Sequence, residues 1–428
     1  MSSKDKVINN SLSEPSNLSN LQIDYFVKEY TNGKICDKEM EKWLKNIFHY
    51  GMTYNETLSY TQALINSGSR IEFPDLDGYL IDKHSTGGVG DKVSFVLGPI
   101  LAACGCYIPM LAGRGLEHTG GTIDKLESIP GYRTQLSLNE FKKIVLKVGI
   151  SIMCQTGEIC PADEKIYALR DVSKTVASNP LICGSILSKK IAEGIEGLVL
   201  DIKVGNGAFM ESMDAALKLG QLLGKVGKNY GINISICYTS MEQPLGNNCG
   251  LWCEIIESLD CLKGRGPQDI MDVVFYLGDK ALRLAGYKDV KKKMIKCIED
   301  RSALNIFLKM IECHGGDIKS LYDPEYNKPL FLKKYKIDKV GYIKSIDTRK
   351  IGNSLVKLGC GRERKNDKLD FTAGFKFYKK VGDFINSEDI IFEYFCSNQR
   401  KINQVQKFLD KVIILDVEQT VEPNLILS

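Results

Sequence analysis

The chain has 428 residues, with 57 Lys and Arg against 53 Asp and Glu, a formal net charge of +4 and a pI near 8.2. That balance is too mild to imply a nucleic-acid partner, which calls for a clustered basic face, and no apolar run reaches the roughly 18 residues of a membrane helix. Apolar residues make up 43% of the chain, enough to bury sizeable cores in two or three domains of about 150 residues each, so wholesale disorder is not expected.

The first twenty residues, MSSKDKVINNSLSEPSNLSN, lack the apolar stretch of a secretion signal and the Arg-rich pattern of a transit peptide; residues 1–20 are expected to be a disordered tail. Residues 21–67 read as helical. Asn32-Gly33 marks a turn, Asp37 is expected to cap a helix carrying Met40, Trp43, Leu44 and Ile47, and Thr53 with Glu56 forms a capping-box signature. These helices are too few for a domain and need a partner from elsewhere in the chain or from a second subunit. After Gly68 short apolar runs alternate with helices and glycine loops: VSFVLGPILAAC, the capped helix SLNEFKKIVLKVG ending at Gly149, the strand ISIMC, then GLVLDIKVG, a helix over about 212–230, and the strand INISICYTS. Strands alternating with helices predict a parallel α/β sheet with ligands at the carboxyl ends of its strands. Beyond a Pro- and Lys-rich stretch at 321–338, the segments VGYIKSID, LVKLGCGR, FTAGFKFYKKVGD and IIFEYFC predict a separate, strand-rich α+β module. The fourteen cysteines are scattered, form no CxxC pair and are joined by only four histidines. They are read as reduced core residues of a cytoplasmic protein, not as a zinc site; no metal is expected.

Residues 83–92, KHSTGGVGDK, concentrate glycines, hydroxyls and lysines. Such glycines let backbone N–H groups surround an anion, with Ser85, Thr86, Ser94, Lys83 and Lys92 as further donors, so the loop is built for phosphate or for a phosphorylated small molecule. The spacing is neither GxxxxGK[ST] nor GxGxxG, and a tight turn with solvated lysines fits the loop alone equally well. A second segment, AGRGLEHTGGTIDKLESIPGY over 112–132, pairs Gly120 and Gly121 ahead of Thr122. In a third, Arg170 precedes LICGSILSKKIAEG, in which Ser185 and Lys189 share a helix face and suit the carbonyls of a pyrimidine.

These stretches, with LVLDIKVGNGAFM, MEQPLG, LGCGRERKNDKLD and KKVGD, resemble the thymidine and pyrimidine-nucleoside phosphorylase family, in its animal-type form. The resemblance runs from about Leu21 to Ile391. It implies an α/β protein with a small all-helical lobe (21–67 and 161–193), a larger α/β lobe with a central mixed sheet (68–160 and 194–330) and a C-terminal α+β domain (331–428). It further implies a homodimer joined through the helical lobe, lobes that close on their substrates about hinges near Gly68, Gly157 and Gly194, and phosphorolysis of thymidine or deoxyuridine to the free base and 2-deoxy-α-D-ribose 1-phosphate. Inorganic phosphate would be a co-substrate and no cofactor is implied. Carried over by position, phosphate would be bound by Lys83, Ser85, Ser94 and Thr122, and the pyrimidine by His84, Arg170, Ser185 and Lys189. Leu116, Tyr167, Val176, Ile182, Ile186 and Phe209 would form apolar walls, and His84, Arg170 and Lys189 would be catalytic.

The chain departs from the family pattern at several positions. Ala112 stands where a phosphate-binding serine is usual, Glu117 where glycine is usual, and Asn206 where serine is usual, the last expected to be a mild change. Lys92 is expected to face Asn248 and Glu257 in place of a bound potassium ion. Met110, where broad-specificity members carry lysine, offers nothing to a 2′-hydroxyl and predicts a preference for 2′-deoxynucleosides. The competing readings are a uridine-accepting broad-specificity phosphorylase, a phosphoribosyltransferase of related fold, and a non-catalytic binding protein supported by Ala112 and Glu117 alone.

Overall fold

The computed structural model describes residues 18–74, 76–115, 117–364 and 367–427. Packing divides the chain into two compact units. Of the described residues, unit 1 holds those up to Asp82, with Gln155–Leu198 and Leu217–Ser235; unit 2 holds those of Lys83–Cys154, Val199–Ala216 and from Ile236 onward.

Unit 1 is helical: Asn20–Thr31, Asp37–Tyr50, Tyr54–Asn66, Pro161–Ser173 and Asn179–Ala192. Two of its starts carry reciprocal side-chain caps. Ser19 pairs with Gln22, and Thr53 pairs with Glu56, each satisfying N–H groups that a helix start leaves open. Glu56 also accepts from the Leu18 N–H at 2.9 Å, and Leu18 is buried, so residues 18–20 belong to the fold; the rest of the expected tail lies outside the described residues. Asp37 is not a cap. Cys36 occupies that position, its N–H donating to Glu39 at 2.9 Å, while Asp37 accepts from the Tyr30 hydroxyl at 3.0 Å. The core is aromatic: Phe26 and Tyr60 lie 5.0 and 5.9 Å from the Trp43 ring, each such buried side chain contributing roughly 1.5–3 kcal/mol. Gly184 lets the Asn179–Ala192 helix press onto Tyr60, since a Cβ there would stand 2.6 Å from the ring.

The strands are β1 Ile81–Ser85, β2 Ile108–Ala112, β3 Ile150–Cys154, β4 Gly197–Val204, β5 Asn233–Ser240, β6 Asn248–Gly250, β7 Phe331–Tyr335, β8 Gly341–Ile346, β9 Gly374–Phe377, β10 Phe384–Ile385, β11 Phe392–Cys396 and β12 Ile413–Asp416. One sheet has the order β1-β4-β5, and the chain passes between units within each of these three strands. In unit 2, β2 and β3 pair in parallel, Ile108 opposite Ile150, joined by the crossover helix Leu138–Val148. That helix starts on the Ser137–Glu140 capping box and ends at Gly149 with φ +90°, both as expected. The apolar run after the first glycine loop is a helix, Val93–Ala103, buried on nearly all sides, which explains why it carries no periodicity.

The α/β class with a C-terminal α+β region is observed, with differences in how it is divided. Residues 68–82 pack with the helices: the Ile71 N–H donates to Ala192, and a Cβ on Gly68 would stand 2.5 Å from the Glu158 carbonyl oxygen. Most of the Met213–Asn229 helix also belongs to unit 1, where the Tyr230 hydroxyl reaches the Leu58 carbonyl at 3.2 Å. The C-terminal region shares a sheet with the chain before it, because β6 joins β9, β11 and β7 in one antiparallel sheet. The segment LVKLGCGR is not a strand: its first half ends the helix Thr348–Leu358, which Asp347 caps and Gly359 stops at φ +113°. Gly68 and Gly194 need no hinge to explain them. The first has no room for a Cβ, and the second combines φ +77° with an approach of 2.3 Å to the Ile71 carbonyl oxygen.

Candidate active site

The glycine loop KHSTGGVGDK leaves the end of β1. Gly87 and Gly90 have φ of +91° and +77°, conformations that side chains disfavour, and a Cβ on Gly90 would stand 2.4 Å from the Leu245 carbonyl oxygen. The second glycine loop follows β2 and leads into the short helix Thr122–Leu126. The two loops touch: Thr119 faces Gly87, and the Lys125 ammonium donates to the Asp91 carbonyl at 2.9 Å. Gly121 is fixed by backbone approach, with its Cβ position only 2.0 Å from the Gly115 nitrogen.

Beneath these loops lie buried charges, of which the sequence reading names only Lys83, Lys92 and Glu257. Lys92 pairs with Glu257 at 2.8 Å, Lys125 with Glu254 at 2.6 Å and Lys203 with Asp201 at 2.7 Å. Lys83 stands 3.7 Å from both Asp91 and Asp201, a longer ion pair than the other three. All eight side chains are buried or nearly so, and the four cations balance the four anions, which is how buried charge is tolerated. Burial pushes the Asp91 carboxyl up, but Lys83, Lys203, the Ser85 hydrogen bond and Lys125 together hold it well below the usual carboxylate range. Burial likewise pushes the Lys203 ammonium down, and Asp201 and Asp91 more than reverse it. The signal for Asp201 and Lys203 was present in LVLDIKVG: residues two apart on a strand share a face, so a buried Asp-x-Lys is a built pair.

Of the expected phosphate ligands, Ser85 accepts from the Gly87 N–H at 3.1 Å, and Ser85, Ser94 and Thr122 are half-buried while Lys83 is buried. Ser94 lies in the first turn of the Val93–Ala103 helix and Thr122 opens its own helix, so both hydroxyls sit with N-terminal N–H groups, which favour anions. His84 is half-buried. Lys92 faces Glu257 as expected and also donates to the Leu245 carbonyl at 2.9 Å, whereas Asn248 bonds Glu257 through its amide at 2.8 Å. Asn206 bridges two loops and a helix. Its side chain donates to the Glu242 carboxylate at 2.7 Å and accepts from the Thr348 N–H at 2.6 Å, tying the VGNGAFM and MEQPLG loops to the Thr348–Leu358 helix. Phe209 packs on the His118 ring at 5.4 Å; His118 is buried, which pushes its imidazole down from the ordinary value, and its Nε2 lies 3.2 Å from the Gly207 carbonyl oxygen. Leu116 lies outside the described residues. Glu117 is exposed with φ +51°, and Met110 is buried on β2.

In unit 1 the structure brings Tyr167, Arg170, Ser185 and Lys189 together. The Lys189 ammonium donates to Ser185 at 2.9 Å and lies 6.0 Å from the centre of the Tyr167 ring, with the Arg170 guanidinium 5.7 Å from the same ring. Arg170 is buried and already donates to the carbonyls of Leu181 at 3.1 Å and Val176 at 2.7 Å, so it also fixes the turn between its helix and the next. Ile186 is buried, and Val176 and Ile182 are half-buried. The sequence reading missed Asp163, whose carboxylate lies 2.5 Å from Lys189; in PADEK it looks like a solvated first-turn acid.

Residues 77–302 match the glycosyl transferase family a/b domain, and residues 342–416 match the pyrimidine nucleoside phosphorylase C-terminal domain. A pyrimidine-nucleoside phosphorylase of Staphylococcus haemolyticus is 39% identical over 414 residues, 96% of this chain and 95% of that protein. The chain belongs to the pyrimidine-nucleoside phosphorylase family. A second relative with the same name, from Geobacillus stearothermophilus, is 36% identical over the same shares of the two chains. Among solved structures, anthranilate phosphoribosyltransferase from Thermus thermophilus aligns with 72% of this chain and 99% of its own at a TM-score of 0.57 and 13% identity, a likeness of fold. Among the described residues of this family member, no helix is long and apolar enough to cross a membrane, and no cluster of three or more His, Cys, Asp or Glu could hold a metal ion. None of the fourteen cysteines forms a disulfide, and most of them are buried.

Proposed function

We propose that the protein catalyses the reversible phosphorolysis of pyrimidine nucleosides, with inorganic phosphate as co-substrate and no cofactor or metal. The observation that carries this reading is the grouping of Arg170, Ser185 and Lys189 around Tyr167 in a chain of this family. Glycosidic cleavage builds positive character on the sugar and negative charge on the leaving pyrimidine. Lys189 and Arg170 supply fixed cations for that developing charge, and Ser185 supplies a hydroxyl that both donates and accepts, as an imide requires. His84 donates to a base carbonyl. The glycine loops, with Lys83, Ser85, Ser94 and Thr122, hold phosphate as the nucleophile for C1′, a positioning role.

Within this reading, thymidine and deoxyuridine are the preferred substrates, because Met110 is an apolar residue buried at 3% exposure on β2 and offers no partner to a 2′-hydroxyl. The broad-specificity alternative is favoured by the relatives, which are named for pyrimidine nucleosides in general. The ratio of kcat/KM for thymidine to that for uridine separates the two, and Met110→Lys should lower it by at least tenfold; equal use of both substrates by the unaltered protein would reject the deoxy preference. A homodimer through the helical unit is part of the proposal, supported by the exposed apolar side chains of Leu21, Tyr50 and Val172.

A further inference from the structure

We infer that Asp163 is a positioning residue for Lys189, an assignment that rests on the proposed phosphorolysis. Asp163 lies in the first turn of the Pro161–Ser173 helix and is 1% exposed. One of its oxygens lies 2.5 Å from the Lys189 ammonium, which is also 2.9 Å from the Ser185 hydroxyl. The other oxygen is buried and has no hydrogen-bond partner among the described residues. Folding alone gains little from such a group: a buried ion pair is commonly no better than an apolar pair of the same volume, and an unmet buried acceptor is a cost. A charge kept under those terms beside a reactive set is the pattern of a functional site.

Geometry says what it does. Lys189 is a flexible ammonium on four methylenes, half-buried, and a cation that stabilises a leaving base must be held where charge develops. Asp163 and Ser185 fix Nζ from two helices, the first on Pro161–Ser173 and the second on Asn179–Ala192. The same helix pair carries Tyr167 and Arg170, with Arg170 anchoring the turn between them. Asp163 thus acts through Lys189 and does not itself touch the base.

The test is a double-mutant cycle with thymidine and phosphate as substrates. Asp163→Asn keeps the shape and an acceptor but removes the charge. It should lower kcat/KM for thymidine by at least tenfold while leaving the phosphate KM within about twofold. In a Lys189→Met background the same change should alter kcat/KM by less than twofold, because its effect is exerted through that lysine. Asp163→Glu, which retains the charge, should recover part of the loss, and it carries the same cycle should Asp163→Asn fail to fold. Equal losses from Asp163→Asn in both backgrounds, or no loss in either, would overturn the role while leaving the phosphorolysis reading intact. Absence of phosphate-dependent base release from the unaltered protein would overturn that reading and the role with it.

Discussion

Replacing Lys92 by methionine isolates the buried charge under the first glycine loop. The Lys92 side chain is fully buried and its ammonium lies 2.8 Å from Glu257, itself 4% exposed. Without it, Glu257 keeps the N–H groups of Asn247 and Asn248 and the Asn248 amide but no balancing cation. Stranding one partner of a buried pair costs about 3–5 kcal/mol. At roughly 2 °C per kcal/mol for a unit this large, unit 2 should melt about 6–10 °C earlier. The chain has two tryptophans, Trp43 in unit 1 and Trp252 in unit 2. A Trp43→Phe background therefore lets Trp252 fluorescence report unit 2 alone. If the ammonium stands in for a bound potassium ion, potassium chloride should restore part of the loss in Lys92→Met and tetramethylammonium chloride should not. A melting temperature within 1 °C of the parent would refute the argument that Lys92 neutralises Glu257.

Three further outcomes follow from single sites. Ala112→Ser returns a hydroxyl to the end of β2; one added hydrogen bond of about 1 kcal/mol should lower the phosphate KM roughly fivefold in steady-state assays. Glu117 holds φ +51°, which costs a side chain about 1 kcal/mol that glycine avoids, so Glu117→Gly should raise the melting temperature of unit 2 by about 2 °C. Burial holds the His314 imidazole down at about 4, with Ser151 2.8 Å and the Arg133 carbonyl 2.9 Å away. The unfolded chain takes up this proton below about 6.5 and the folded one does not until about 4. Stability from this group is therefore complete above about pH 6.5 and should fall by about 2–3 kcal/mol between pH 7 and 4.5. Urea midpoints of the parent and of His314→Phe at the two pH values measure it: the variant should lose less on acidification.

What the sequence made legible was what local chemistry decides. The capping boxes at Thr53–Glu56 and Ser137–Glu140, the stop at Gly149 and both glycine loops are short-range patterns, and the structure keeps them. What escaped depends on distant partners. Asp201 and Lys203 share a strand face in LVLDIKVG, but that Lys83 and Thr239 stand beside them could not be read there. Asp163 became visible only when Lys189, 26 residues later, proved to be its partner. The segment LVKLGCGR is expected to be strand-like, yet Asp347 and Gly359 set a helix that ends at Leu358. The bond that Asn206 accepts from the Thr348 N–H, 142 residues away, could not be read from VGNGAFM.

The central claim is tested most directly by measuring thymine release from thymidine with and without inorganic phosphate, with the sugar product identified. The account predicts release only with phosphate, together with one 2-deoxyribose 1-phosphate for each thymine. No release from protein shown to be folded, or release that is indifferent to phosphate, would contradict it.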